Sequence, residues 1–172
     1  HNFFWHTQQQ QNYLKSLVAP EMVVVSDGAI ENIVTNSDFE DGTVNGYQGF
    51  WCDYTYEIAS PGHNSDKCLH ITTGKPKNMW DAQLFWGVDG LKEGVTYAYS
   101  FYAKSDCNLE VQFMGSQSES PYSGFYKDRF NAGSDWTHCQ GEFTYDGNPA
   151  NIGRVGIQFG GVAGANLWID DF

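Results

Sequence analysis

Three observations predict an all-β sandwich or barrel. From Ile30 onward, apolar residues recur with a period of two. Turn dipeptides punctuate that pattern at Asp89-Gly90, Asp146-Gly147 and Gly160-Gly161. No ten-residue window after Ile30 has the spacing of an amphipathic helix. In chain order, strands are expected first at 53–59 and 67–73. The next places Leu84, Trp86 and Val88 on one face and Gln83, Phe85 and Gly87 on the other. The clearest runs over Val95–Lys104, where Val95, Tyr97, Tyr99, Phe101 and Ala103 form the apolar face. Leu109-Val111-Phe113 then alternates with Glu110-Gln112-Met114, followed by strands at 123–130 and 136–145. Val155-Ile157-Phe159 alternates with Arg154-Gly156-Gln158, and a strand over 166–171 ends the pattern.

The 172 residues suit one domain with a proper core. Nine Lys and Arg against 21 Asp and Glu leave a net charge of −12. That balance argues against nucleic acid, whose phosphates need neutralising, and against an anionic membrane surface. No apolar run approaches the ~20 residues of a membrane span. Aromatic residues, at 16%, nearly equal charged residues, at 17%, and that surplus needs a purpose. The four Cys (52, 68, 107 and 139) have no zinc spacing and are either buried thiols or include one disulfide. The chain opens at His1 with no Met and no visible signal-peptide pattern, and it is expected to be a piece of something longer. Residues 1–28 differ from the rest, with an aromatic-His run, the tract Gln8–Gln11 and the apolar run Met22–Val25, so a boundary is expected at Ser26-Asp27-Gly28. The Gln tract reads as a linker, a loop or the start of a short helix that Pro20 stops.

The polar faces of the strands are unusual. Gln83, Gln112 and Gln158 stand where a solvated face would favour Lys and Glu. Amides offer a donor and an acceptor to vicinal hydroxyls, and aromatic faces pack on the C–H faces of sugars. Trp80, at a loop-to-strand junction, is either a core plug or an exposed platform, and the aromatics of Ser120–Tyr126 are hard to place in a core. No pair of carboxylates is marked for glycoside hydrolysis, and no nucleophile-elbow, zinc-protease, dinucleotide or P-loop motif appears. The acids at Asp38, Glu40 and Asp41 and at Asp170-Asp171 are either solvated or, if the first and last strands meet, hard-cation ligands.

These motifs, taken in order, resemble the family 4/9/22-type carbohydrate-binding modules. The segments are Asn32–Gly42, Trp80–Leu84, Leu91–Tyr97 leading to Phe101–Lys104, Pro121-Tyr122, Trp136, Gly156–Gly161 and Leu167–Asp171. The resemblance covers residues 29–172 and implies a β-jelly-roll sandwich with a glycan cleft on its concave face. It implies that Trp80 and Tyr122 stack on sugar rings, with Phe125 or Tyr126 as an alternate aromatic of the same loop. Gln83 and Gln158 would hydrogen-bond to the sugar. It further implies a structural Ca2+ held by the side chains of Glu40 and Asp170 and the backbone carbonyl of Lys67. The implied ligand is xylan or xylo-oligosaccharide, with β-1,4- or mixed-linkage glucan, or no ligand at all, as alternatives.

His1–Gln8 resembles the third barrel strand of family 10 xylanases, which carries a Trp-His-x-Gln motif. The combined expectation is a module inserted in an endo-1,4-β-xylanase, with 1–28 a stub of the barrel plus linker. One barrel strand cannot form a barrel, so the fragment itself is expected to be non-catalytic. A monomer is expected, working outside the cell, on its surface or in the periplasm. From the net charge, the sugar is expected to be read by stacking and amide hydrogen bonds, and not through glucuronate charge.

Overall fold

The structure is a computed structural model that describes residues 23–26, 29–44, 49–51, 54–147 and 153–172. Among them run twelve strands: β1 (Val23–Ser26), β2 (Ala29–Asn32), β3 (Gly49–Trp51), β4 (Tyr54–Ala59), β5 (Cys68–Thr73), β6 (Gln83–Gly87), β7 (Thr96–Ser105), β8 (Leu109–Ser116), β9 (Gly124–Ala132), β10 (Thr137–Thr144), β11 (Arg154–Gln158) and β12 (Asn166–Asp170). The nine strands expected from alternation match β4 to β12 to within a few residues at each end.

The strands form two sheets. One has the order β2-β1-β7-β12-β5-β4, with β10 paired along β7. The other has the order β3-β6-β11-β8-β9. Every pairing is antiparallel, and the chain passes repeatedly from one sheet to the other, as a jelly-roll sandwich requires. The boundary expected at residue 28 falls between two paired strands, since β1 pairs with both β2 and β7. Residues 1–22, including the segment that resembles a barrel strand, lie outside the described residues.

Alternation explains the core. Leu84 and Trp86, Tyr97 to Ala103 at odd positions, Val111 and Phe113, Val155 and Ile157, and Leu167 and Ile169 all turn inward and are buried. Rings fill the gap between the sheets. Tyr99 stacks on Phe113 with centroids 3.6 Å apart, and Phe172 stacks on Trp86 at 4.3 Å and Phe101 at 5.2 Å. Each such buried ring stabilises the fold by roughly 2–3 kcal/mol. Polar atoms that come with the rings find partners. The Trp86 indole N–H donates to the Thr35 carbonyl at 3.2 Å, and the Tyr99 hydroxyl donates to Asp128. Burial raises the Tyr99 hydroxyl well above its ordinary range, and the hydrogen bond to Asp128 adds to that. Among the described residues, most aromatic side chains therefore lie in the core or pack against it.

Cys68, Cys107 and Cys139 are free thiols, and burial pushes Cys68 up to about 11 and Cys139 up to about 12. Cys52 lies outside the described residues.

Candidate functional site

The outer face of the five-stranded sheet is built in transverse rows, because antiparallel register sets residues of one parity directly opposite each other. In the first row, Gln83 of β6, Gln158 of β11, Gln112 of β8 and Arg129 of β9 are successive partners. In the second, Phe85, Gly156, Met114 and Lys127 follow in the same strand order. In the third, Arg154 lies between Gly87 and Ser116. Rows one and three are four residues apart, roughly 13 Å along the strands. Over these rows lies an open cleft of about 910 Å³ lined by Trp80, Tyr122, the four residues of the first row, and Phe85, Met114 and Lys127 of the second, among others.

The first row is a directed relay. Arg129 Nε donates to Gln112 Oε1 at 3.1 Å, Gln112 Nε2 donates to Gln158 Oε1 at 3.1 Å, and Gln158 Nε2 donates to Gln83 Oε1 at 3.2 Å. Gln112 and Gln158 are buried, so these bonds meet an otherwise costly requirement and hold the amides in one orientation. In the second row Gly156 contributes no side chain, because β11 and β6 approach closely there. A Cβ there would run into the Leu84 carbonyl and lie 2.8 Å from Phe85 Cα.

Two exposed rings stand beyond opposite ends of the strands, Trp80 next to the first row and Tyr122 next to the third. Trp80 sits on a 3-10 turn, Met79–Asp81, just before β6. Asp81 Oδ2 accepts the backbone N–H groups of Lys77 and Asn78, each at 2.9 Å, and these bonds hold its carboxyl below the usual range. Gly160 N–H donates to the Met79 carbonyl at 2.9 Å, which fastens the turn to the end of β11. On this rigid base Trp80 is 57% exposed, so it is a platform and not a core plug. Tyr122 lies on the β8–β9 loop, 53% exposed, with φ +57°. That left-handed conformation costs a bulky residue about 1 kcal/mol, and such strain gathers at ligand sites. Tyr122 N–H donates to the Glu119 carbonyl at 2.7 Å, and Gln117 N–H to the Ser123 carbonyl at 3.0 Å, which tie the loop down.

The structure thus brings Trp80, Gln83, Tyr122 and Gln158 into one cleft. It does not bring Tyr126 there. β9 begins at Gly124, and its parity turns Tyr126 and Phe130 inward while Lys127 and Arg129 face the cleft. Tyr126 packs edge-on against Tyr99 and Phe113, so the expectation that it serves as a cleft aromatic is corrected. The residues missed from sequence are Gln112, whose odd face was visible, and the cations Lys127, Arg129 and Arg154. The Arg154 guanidinium lies 3.9 Å from the Phe85 ring centroid and 5.2 Å from that of Tyr122, with Nε donating to Ser116 Oγ at 2.9 Å. Burial there holds its pKa below the ordinary value.

The candidate cation ligands also converge, though by another route than expected. β12 is flanked by β5 and β7, not by the first strands, and the 60–67 loop brings the acids together. Asp170 is fully buried; its Oδ2 accepts from His63 N–H at 2.6 Å and Ser65 Oγ at 2.7 Å. Glu40 Oε1 accepts from Lys67 N–H at 2.7 Å. The Lys67 ammonium is directed at the Glu40 backbone carbonyl, 2.8 Å away, and not at a carboxylate. Burial pushes the Asp170 carboxyl up to about 6, with the charge of Glu40 a smaller contribution. The Lys67 carbonyl, Ser65 Oγ and Asp170 Oδ2 all crowd the space that a side chain at residue 62 would occupy, and Gly62 leaves it open. Among the described residues no three His, Cys, Asp or Glu side chains form a metal-binding group. The donor set here is two carboxylates and a carbonyl, which is hard-oxygen chemistry that fits calcium.

A two-sheet sandwich with amides on the floor of an open cleft and exposed rings flanking it has the arrangement of a sugar-binding β-sandwich domain. Residues 31–160 match the sequence profile of the CBM_4_9 family, described as a carbohydrate binding domain, and the chain belongs to that family. No curated protein matches it. Three solved structures show the same fold. A CBM4 structure has a TM-score of 0.64 at 18% identity, covering 80% of this chain and 96% of its own. A second module of carbohydrate-binding family 16 has 0.59 at 18%, covering 81% and 96%. The CBM22-2 xylan-binding domain of Paenibacillus barcinonensis Xyn10C has 0.58 at 16%, covering 78% and 93%.

Proposed function

We propose that this chain is a non-catalytic module that lays a xylan chain across the five-stranded sheet and holds an attached endo-1,4-β-xylanase on plant polysaccharide. The carrying observation is the oriented row Gln83–Gln158–Gln112 between two exposed rings, Trp80 and Tyr122. Trp80 and Tyr122 stack on sugar faces, while Gln83 and Gln158 address hydroxyls. Xylan is favoured among β-linked glycans because a fold neighbour is a xylan-binding domain and because His1–Gln8 resembles a xylanase strand. Tethering raises the effective concentration of the enzyme at the polymer, and the module needs no catalytic group of its own. It works as a monomer, where the polymer is: outside the cell, on its surface or in the periplasm.

The test is titration calorimetry of the protein and its Trp80→Ala variant on soluble xylan, with β-1,4- and mixed-linkage glucan as further arms. Binding to xylan that falls at least tenfold in a folded variant is expected. Unchanged binding in the variant overturns the cleft assignment. Tighter binding to either glucan reassigns the ligand, and no binding to any glycan leaves a ligand-free interaction module.

Calcium belongs to the same proposal. Glu40 and Asp170 through their carboxylates and Lys67 through its carbonyl would hold the ion. It would supply positive charge to a buried acid and join the 60–67 loop to the Glu40 turn and β12.

A further inference from the structure

The charge of the cleft opposes the charge of the chain. Lys127, Arg129 and Arg154, three of the nine cationic residues, line the cleft. No Asp or Glu is among its described lining residues, although the chain carries 21. Arg129 is already paired, with Nη1 3.0 Å from Glu110 Oε1. Arg154 and Lys127 have no ion-pair partner among the described residues.

Arg154 is also the better placed of the two. Its plane is set by the Phe85 and Tyr122 rings and by the Nε bond to Ser116, which leaves the Nη edge of the fork without a described partner. A planar guanidinium held this way is pre-organised for bidentate bonds to a carboxylate. The rings strip part of its hydration and return only part of the cost as cation–π attraction. A neutral sugar would leave that imbalance standing, whereas an anion would remove it. Lys127 lies two strands away, roughly 10 Å, and supplies a second point charge over the same floor.

We propose that the cleft selects a sugar chain bearing uronic-acid carboxylates, with Arg154 reading the acid and Lys127 supporting it. This rests on the glycan-binding reading of the same cleft. The net −12 does not oppose it, because charges beyond a Debye length of about 10 Å are screened at 0.1 M salt while groups in contact are not.

The experiment titrates the protein with glucuronoxylan and with the same polymer after its carboxylates are reduced to alcohols. The wild-type protein is expected to bind the acidic polymer at least tenfold more tightly. Arg154→Gln should bring that ratio close to one, and Lys127→Gln should lower it by about threefold. Equal wild-type affinity for both polymers overturns the acid reading and leaves the glycan cleft intact. A preference retained in folded Arg154→Gln removes the role assigned to Arg154. Binding to neither polymer overturns both readings. If Arg154→Gln does not fold, the wild-type ratio and Lys127→Gln still decide.

Discussion

The two outer faces of the sandwich use the same building method and reach opposite ends. On the seven-stranded sheet a transverse row runs from Glu57 of β4 through His70 of β5 and Trp168 of β12 to Lys104 of β7. Each member is covered by the next. His70 Nδ1 lies 2.9 Å from Glu57 Oε1, His70 stacks on Trp168 at 4.6 Å, and the Lys104 ammonium sits 5.3 Å from the Trp168 ring and 4.8 Å from that of Trp136. Beside it, Tyr102 is enclosed between His63 at 3.5 Å and His138 at 4.5 Å. The cleft row binds amide to amide, Trp80 beyond it has no described ring or cation partner, and Tyr122 carries only the Arg154 guanidinium, 5.2 Å from its ring. Aromatic richness therefore does not set the two faces apart. The exposure of Trp80 and Tyr122 beside an amide floor does.

The sharpest way to break the comparison is to disrupt the sheet beneath the cleft. Gly156→Val drives a side chain into the β6 backbone, and a loss of more than about 4 kcal/mol is expected, read as loss of the cooperative melt by circular dichroism. Next in size is calcium. Chelation should lower the melting temperature by about 5 °C or more, since an ion at a hundred times its Kd contributes about 2.7 kcal/mol; an unchanged melt in metal-stripped protein, with stripping verified by elemental analysis, would remove the site.

A matched pair of tryptophans then separates the faces. Trp80→Ala should weaken xylan binding at least tenfold, about 1.4 kcal/mol, with the melt within about 2 °C of wild type. Trp168→Ala should do the reverse, keeping affinity within twofold while losing about 1–2 kcal/mol of stability, or several degrees. If Trp168→Ala weakens sugar binding as much as Trp80→Ala, the two faces do not differ as described. The smallest effect belongs to Tyr126→Phe. Its ring faces the core, so xylan affinity should stay within twofold, and a larger loss would return Tyr126 to the cleft.

Alternation made most of this fold legible, because a half-buried strand must repeat every two residues. The parity of Gln83 and Gln158 put both on the face away from the core before any register was known. What alternation could not supply was which strands are neighbours. The order β6-β11-β8-β9 is not the chain order, so nothing local tells Gln112 that it lies between Gln158 and Arg129. For the same reason nothing local marked Lys127, Arg129 and Arg154, and the chain-wide sum of −12 concealed three cations lining one cleft. Tyr126 was carried over from the resemblance, in a loop whose motifs match poorly, and the register shift between Gly115 and Ser116 lies beside it. The pattern Tyr126, Asp128, Phe130 was the available signal. Its polar middle member blurred it, and Asp128 turns inward only because the Tyr99 hydroxyl is there to meet it.

Gly156 also governs how such a surface can diverge. The close approach of β11 to β6 at Gly156 belongs to the backbone, so drift in sequence cannot place a side chain there without dismantling the sandwich. Novelty is confined to the rim and the neighbouring rows, where Trp80, Tyr122, Lys127 and Arg154 can each be exchanged while the strands beneath them stay in register. A lineage built on this scaffold inherits the shape of its groove and rewrites only its taste.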